Sequence, residues 1–299
     1  MSERFTVERI EPLRIDGPDA LRGRELMSPY VWREGDGRLG LMLRVVPGSA
    51  DDDTLTGSIW YGTSEDGVSF IVEDGPVLAP GPDALDTKGC EDPTVVRRDG
   101  ELIVFYTGVD ADGGGHLLWA SGPNVRSLTK RGVAHRSFGG EQDVKEAEIA
   151  VTGDGHWTMG FEYADGKASM IGYAEGDGPA GPWRATKHGF GARADRFDSW
   201  HLSPGPMLLD DPDRPIMFYN GATRDGVWGI GWVVFDHPRS RILDRCEVPL
   251  IAPPGADGGR NMAFAASLIE QDDRIDLYFS YNDRSCHRAV VRRGAEAGA

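Results

Sequence analysis

Apolar residues along this chain occur in short runs of strand length, and each run is bounded by a polar turn. Several stretches place an Asp-Gly or similar turn directly before an apolar or aromatic segment: EDGVSF, RRDGELIVFY, TGDGHWTMGFEY, ADGKASMIGYA and TRDGVWGIGWVVF. Such turns between two β-prone runs are typical of hairpins. Because no segment shows sustained helical periodicity, the pattern predicts an all-β chain built from hairpins.

The hairpins repeat at a regular interval. Markers of five aromatic or aliphatic second strands lie 56 to 62 residues apart: Leu43, Phe105, Phe161, Phe218 and Phe279. The corresponding first strands begin near SPYVW, EDPTVV, EAEIAV, SPGPMLL and AASLIE. This step fits long propeller blades, so we expect a five-bladed β-propeller forming one domain over 1–299, with its core at roughly 21–292. A two-sheet sandwich is the alternative, but it would not require a regular five-fold step.

One first strand begins with an acidic pair, Glu91-Asp92, followed by a proline. A simple Asp-Pro chain reversal would explain the pair without any chemistry. In a propeller, however, the first strand of each blade is innermost, so the starts of all first strands surround one end of the channel. Asp92 and Glu148, from adjacent blades, would then share one funnel. Inverting glycosidases use two carboxylates about 6.5–9.5 Å apart, one as acid and one as base.

Composition narrows the class of partner. The net charge of −16 disfavours nucleic acid, because a duplex would be repelled. The three cysteines give no disulfide framework, and no cluster has metal-ligand spacing, so neither a metal nor a cofactor is expected. The N-terminus lacks the apolar run of a signal peptide and no stretch is long enough for a membrane helix, so a cytoplasmic protein is expected, with no membrane partner.

Several stretches, in order, resemble glycoside hydrolase family 130, the β-mannoside phosphorylases and mannosidases. They are SIWYGTSEDGVSF, PVLAP, GCEDPTVVRRDGELIVFYTG, VPLIAPP and LYFSYNDRSCHRAVV, and the resemblance covers roughly residues 27–292. It implies a five-bladed propeller in which Asp92 is the general acid and protonates the glycosidic oxygen by way of a sugar hydroxyl. It further implies that Glu91 binds sugar hydroxyls and that Arg44 and Asp283 line the sugar pocket.

The chain departs from the phosphorylases of that family at two positions. Thr94 stands where they carry an arginine after Glu-Asp-Pro, and Glu162 stands in a strand where they carry a basic residue. Phosphate requires several positive donors, so these changes favour hydrolysis over phosphorolysis. The family's Phe-Pro after the third-blade lysine is also missing, since KEAEIAVTG stands there instead. This points to a remote subfamily.

The residue that acts as the base is less sharply defined. Glu148 is preferred, while Glu146 and Glu162 compete, because strand alternation puts Glu146 and Glu148 on one face. For Glu146, an ion pair with Lys145 is the more ordinary role. At the start of the fourth blade, His201 is a candidate for substrate contact and Trp200 is a candidate for stacking on a sugar face. Lys145 and His201 together would be the source of any phosphate site.

The sequence therefore predicts an inverting, exo-acting glycoside hydrolase whose partner is a β-mannoside or a related oligosaccharide. Three alternatives stay open: a phosphorylase of the same fold, an arabinofuranosidase-like furanosidase, and a non-catalytic sugar-binding propeller. Asp92 together with an acid at 148 argues against the last, because binding alone does not require the pair. The sequence does not define the sugar, the linkage or the oligomeric state.

Overall fold

A computed structural model describes residues 4–47, 54–136, 142–152, 155–186, 190–236, 239, 241–271 and 274–294. Over these residues the regular structure consists of strands and three short 3-10 turns, Asp19–Leu21, Ala84–Asp86 and Val125–Ser127, with no α-helix. The all-β class predicted from the hairpin pattern is thereby confirmed. No helix within these ranges is long and apolar enough to cross a membrane.

The strands fall into antiparallel groups that follow one another along the chain. After β1 (Phe5–Pro12) and β2 (Arg14–Asp16), the first group is β3 (Glu25–Arg33), β4 (Leu39–Val46), β5 (Ser58–Ser64) and β6 (Ser69–Val72). The second is β7 (Gly89–Arg98), β8 (Glu101–Val109), β9 (Gly115–Gly122) and β10 (Thr129–His135). The third is β11 (Gln142–Val151), β12 (Trp157–Asp165), β13 (Ala168–Gly176) and β14 (Arg184–Thr186).

Two more groups complete the described chain. The fourth is β15 (His201–Ser203), β16 (Met207–Leu208), β17 (Ile216–Ala222), β18 (Val227–Phe235) and β19 (Ile242–Arg245). The fifth is β20 (Asn261–Glu270), β21 (Arg274–Tyr281) and β22 (Ser285–Arg293), and β1 returns to pair antiparallel with β22. The N-terminal strand thus supplies the outer strand of the last group and joins the two ends of the chain.

The five marker residues of the sequence repeat occupy equivalent places in these groups. All five are fully buried: Leu43, Phe105, Phe161, Phe218 and Phe279. Four of them lie in the second strand of their group, and Phe218 lies in β17, which pairs with the two short strands β15 and β16 that precede it. Such a strand is buried on both faces, so nearly all of its residues are apolar. The resulting continuous hydrophobic run is the sequence signal that marked these strands.

The apolar core consists of five clusters, and each one contains side chains from two groups. Four clusters join groups that are consecutive in the chain. The remaining cluster packs Val31 and Leu41 of the first group with Ile269 and Tyr278 of the fifth. The contacts between groups therefore form a closed cycle.

The first long strand of four groups contains a bulge. The pairing register shifts between Met27 and Tyr30 in β3, between Glu91 and Thr94 in β7, between Lys145 and Ala147 in β11, and between Ala265 and Ser267 in β20. In three of these bulges one residue has a positive φ: 52° at Ser28, 46° at Asp92 and 43° at Glu146. A bulge inserts an extra residue and redirects its side chain, so these three residues are structurally equivalent.

Candidate active site

A cavity lies where the bulged first strands meet. It is lined by Ser28 of β3, residues 92–94 of β7, residues 146–148 of β11, residues 204–205 after β15, and residues 264–266 of β20. All five groups thus contribute to one concave site, at nearly the positions that the repeat predicted. The side facing Ser28, Asp92 and the glutamates is polar, whereas the side formed by 204–205 and 264–266 is apolar.

Only one of the two carboxylate oxygens of Asp92 is contacted by other described side chains. The hydroxyl of Ser28 donates a hydrogen bond of 2.5 Å to Asp92 Oδ1, and Arg44 Nη1 lies 3.9 Å from the same oxygen. Among the described residues, no hydrogen-bond partner contacts Asp92 Oδ2. The carboxylate therefore has one anchored oxygen and one that is available to a ligand in the cavity.

The neighbouring Glu91 faces Arg44 rather than the cavity lining. Arg44 Nη2 lies 2.6 Å from Glu91 Oε1, and the same guanidinium donates to the backbone carbonyl of Thr56 at 2.9 and 3.0 Å. Burial raises the pKa of Glu91, and the charge of Arg44 opposes that rise. Arg44 is thus committed to a carboxylate and a carbonyl, and it fixes the strand that carries Asp92.

Glu146 lies in a compact charge cluster on the third group. Its Oε2 accepts a 2.6 Å hydrogen bond from Ser203, and Lys145 Nζ lies 3.6 Å from both Glu146 Oε1 and Glu162 Oε1. Burial raises the pKa of Glu146 well above its usual value, and the charges of Glu162 and Asp92 add to that rise. Conversely, Glu162 and then Glu146 raise the pKa of Lys145.

Glu148, the residue that the sequence favoured as the base, also lines the cavity. It accepts a hydrogen bond from the backbone of Met207, and burial raises its pKa to about 8. The two glutamates share a cavity, as alternation along a strand predicts. The residue equivalent to Asp92 is nevertheless Glu146, because the bulge at 146 displaces the register by one residue.

His201 and Trp200 lie at the start of β15, outside the cavity lining. The backbone N–H of Ser169 donates to His201 Nδ1 at 3.0 Å, which leaves Nε2 as the protonated nitrogen of the neutral ring. Burial lowers the pKa of His201. The guanidinium of Arg224 lies 3.9 Å from the ring centre of Trp200 and covers that face.

An aromatic row connects His201 to the cavity. Its ring stacks on Trp228 with centroids 5.5 Å apart, and Trp228 lies 5.3 Å from Phe264, which is part of the apolar wall. Asp283 lies outside the cavity lining; burial and the charge of Asp92 raise its pKa, while Arg44 opposes the rise. Asp283 therefore belongs to the same electrostatic cluster as Asp92.

Sequence reasoning placed residues 28 and 203 near the mouth of the funnel but gave the two serines no role, and it missed part of the aromatic row. Ser28 in β3 and Ser203 at the end of β15 each stand directly before a proline, as Asp92 does in β7. That shared pattern, SPYVW, DPTVV and SPGPM, was the available signal, but a serine before proline carries no chemical signature by itself. Trp228 and Phe264 read as ordinary packing residues, because only the tertiary structure brings their strands together.

Comparison with known proteins gives a clear answer at the level of the fold. No protein-family model matches the sequence, and no curated protein matches it. A β-1,2-mannobiose phosphorylase from Listeria innocua, solved with β-1,2-mannobiose, superposes with a TM-score of 0.76 at 18% identity over 95% of this chain and 91% of that one.

Two further solved structures extend the comparison. One comes from work on family 130, described as mannoside phosphorylases that include hydrolases targeting β-1,2 mannosidic linkages in Candida mannan. It has a TM-score of 0.74 at 22% identity over 89% of this chain and 84% of that one. A thermostable family-43 glycoside hydrolase has a TM-score of 0.67 at 14% identity over 93% of this chain and 92% of that one.

The class defined by the fold is thus an all-β architecture that glycoside-cleaving proteins share. Within that class, the structural resemblance to family 130 is confirmed over about nine-tenths of the chain.

Proposed function

We propose that this protein is an inverting glycoside hydrolase that cleaves a β-mannoside oligosaccharide. The observation that carries the proposal is the equivalent placement of Asp92 and Glu146 on adjacent first strands, both at the wall of one cavity. Two carboxylates are the minimum equipment for inverting glycoside cleavage. The choice of a mannoside rests on the structural relatives, among them one bound to β-1,2-mannobiose.

We also propose that the five strand groups are the blades of a single five-bladed β-propeller. The closed cycle of hydrophobic clusters supports this arrangement, as does the pairing of β1 with β22 that joins the two chain ends. In such a ring the innermost strands converge on one axis, and a cavity lined by all five groups follows. The cytoplasmic location expected from the sequence stays a prediction.

Asp92 is assigned the acid role and Glu146 the base role, in place of Glu148. A base must be ionised before it can accept a proton, and Lys145 and Ser203 favour the ionised form of Glu146. Its raised pKa also makes it a stronger proton acceptor than an ordinary carboxylate. Glu148 lies outside the bulge, and Lys145 and Ser203 contact Glu146 rather than Glu148.

The reaction follows from these roles. Asp92 supplies a proton to the glycosidic oxygen, through a sugar hydroxyl as the resemblance implies, and the bond from the anomeric carbon to that oxygen breaks. A water molecule attacks the anomeric carbon from the opposite face, and Glu146 takes the proton that this water loses. The anomeric configuration is inverted because attack and departure occur on opposite faces.

The surrounding residues are suited to holding a sugar ring. Asp283 adds a second carboxylate close to Asp92, and carboxylate oxygens pair well with sugar hydroxyls. Glu91 and Arg44 are paired with each other and hold the strand that carries Asp92. Phe264 and the small residues beside it offer an apolar surface to the C–H face of the ring. Trp200 and His201 lie farther out, where they would meet the part of the substrate that leaves.

Water is favoured over phosphate as the nucleophile on electrostatic grounds. Lys145 is shared by Glu146 and Glu162, and Arg44 is bound to Glu91. The hydroxyl of Thr94, at the position of the phosphorylases' arginine, donates to the carbonyl of Ala147. His201 is neutral, since burial lowers its pKa. An incoming phosphate would meet more carboxylates than free cations.

The test is an assay of β-1,2-, β-1,3- and β-1,4-mannobiose, with aryl arabinofuranosides alongside, in buffer with and without phosphate. Free mannose that first appears as the α-anomer in phosphate-free buffer, by NMR, is the expected result. Mannose 1-phosphate formed only with added phosphate would show a phosphorylase. Activity confined to the arabinofuranosides would show a furanosidase. Binding without turnover would show a sugar-binding protein.

A further inference from the structure

Ser28 connects three of the strand groups through its own backbone and side chain. It lies in β3 of the first group, its backbone N–H donates to Ser280 Oγ of the fifth group at 2.9 Å, and its hydroxyl donates to Asp92 Oδ1 of the second group at 2.5 Å. Its φ of 52° is a left-handed conformation that a serine seldom adopts. Strained backbone of this kind persists where the surrounding structure holds it in place, and it is concentrated at functional sites.

We propose that Ser28 is a positioning residue that decides which oxygen of Asp92 delivers the proton. This inference rests on the proposed function, in which Asp92 is the general acid. By occupying Oδ1, the Ser28 hydroxyl leaves Oδ2 as the oxygen that carries the proton and faces the sugar. When the carboxyl is protonated on Oδ2, Oδ1 is a carbonyl oxygen, so it accepts the serine hydrogen bond throughout the reaction.

The position of Arg44 explains why the acid needs such an anchor. Its Nη1 is 3.9 Å from Asp92 Oδ1, which is beyond a hydrogen bond but close enough for a small side-chain rotation to close. A direct guanidinium–carboxylate pair would turn the free oxygen of Asp92 away from the cavity. The hydrogen bond from Ser28 holds the carboxyl group in its present orientation and so keeps Arg44 from forming that pair.

The variant Ser28→Gly tests this role without disturbing the backbone. Glycine adopts a positive φ freely, so the strand keeps its path while the hydroxyl is lost. On the mannobiose that wild type cleaves, kcat should fall about 10- to 100-fold with KM within about threefold, because a misplaced acid affects the transition state more than binding. On 2,4-dinitrophenyl β-mannoside, whose leaving group needs no proton, the loss should be below about threefold.

Ser267→Ala is the matched control. Ser267 also hydrogen-bonds to β3, through the carbonyl of Pro29 and the N–H of Val31, but no carboxylate of the described residues hydrogen-bonds to it. We expect this variant to be less stable and yet to keep its kcat on both substrates. Equal losses in both serine variants would show that Ser28 matters only for packing and would overturn the inference.

Crystal structures of wild type and Ser28→Gly provide a readout that does not depend on activity. The expected difference is a rotation of the Asp92 carboxylate toward Arg44 in the variant. An unmoved carboxylate, or a variant kcat within about threefold of wild type, contradicts the inference about Ser28 while leaving the hydrolase proposal intact. If wild type cleaves no mannoside, the proposed function is contradicted. The orientation of the Asp92 carboxylate in the two crystal structures then still tests whether Ser28 anchors it.

Discussion

Asp92 and Glu146 occupy the same structural position on neighbouring first strands, each at a bulge with a φ near 45°. Each also accepts a hydrogen bond from a serine of an adjacent group, Asp92 from Ser28 and Glu146 from Ser203. Two hydrogen-bonded pairs, serine with aspartate and glutamate with serine, are therefore drawn from four consecutive groups, and the two carboxylates line the cavity. The repeat supplies equivalent positions, and the side chains at those positions differ in chemistry.

Replacing the acid should abolish most activity without disturbing the fold. In Asp92→Asn the side chain keeps its size and can still accept from Ser28, but it has no proton to transfer. We expect kcat on mannobiose to fall by about 10²- to 10⁴-fold, the usual contribution of a general acid, with an unchanged unfolding midpoint. Steady-state kinetics and a thermal melt measure both quantities, and near wild-type turnover would limit Asp92 to a structural role.

A pair of isosteric variants separates the two candidate bases. Glu146→Gln should lower kcat about 10²- to 10⁴-fold, because no carboxylate then takes the proton of the attacking water. Glu148→Gln should change kcat less than about fivefold, because Glu148 is not the counterpart of Asp92 and because Lys145 and Ser203 contact Glu146 instead. The reverse outcome, with Glu148→Gln as the inactive variant, would restore Glu148 as the base.

The buried Glu148 should also make stability depend on pH. Its pKa is about 8 in the folded protein, against about 4.5 when exposed, so from pH 4.5 to 8 only the unfolded chain releases this proton. Its contribution to stability is complete below pH 4.5 and is lost as the pH rises toward 8. We expect the free energy of unfolding to fall by about 2–4 kcal/mol over this pH range, less than the full pKa shift implies, because the side chain is still partly open to the cavity.

Urea unfolding of wild type and Glu148→Gln at pH 5 and pH 8.5 measures this effect. The difference in unfolding free energy should shift in favour of the variant at the higher pH. A pH-independent difference between the two proteins would show that Glu148 is ionised in the folded state across this range.

The charge cluster around Lys145 should exclude phosphate. In Glu162→Gln one of the two carboxylates 3.6 Å from Lys145 Nζ becomes neutral, so the lysine gains capacity to bind an anion. We expect the concentration of inorganic phosphate that half-inhibits this variant to be about tenfold lower than the concentration that half-inhibits wild type. Glu175→Gln is a suitable control, because Glu175 lies near His156 on the outer part of the third group. Equal phosphate sensitivity in all three proteins would argue against an electrostatic barrier at Glu162.

Much of the fold was accessible from the sequence because its signals are local. Strand alternation, Asp-Gly turns and buried aromatic second strands depend on neighbouring residues, and all five markers lie in the strands that the repeat assigned to them. The acidic pair before Pro93 was likewise visible. The structure places it within the bulged strand β7, whereas the simplest interpretation was a turn ahead of it.

The choice between Glu146 and Glu148 could not be made from the sequence. Two residues that are two apart lie on the same face of a strand, so alternation treats them alike. The bulge at 146 makes Glu146 the counterpart of Asp92, which is the basis of the proposed assignment, and the bulge depends on how β11 pairs with β12. The contact of Arg224 with the ring of Trp200 was equally hidden, because residues 24 positions apart meet only when β17 and β18 turn back toward β15.

The sequence by itself determined the all-β class, the five repeated units and the presence of carboxylates at the starts of first strands, because each of these is encoded in the order of neighbouring residues. Only the tertiary structure decided which side chains meet: Ser28 with Asp92, Ser203 with Glu146, and Lys145 with Glu162. The reason is physical. These contacts join residues up to 64 positions apart, and their geometry is set by packing between groups and by bulges in the pairing register.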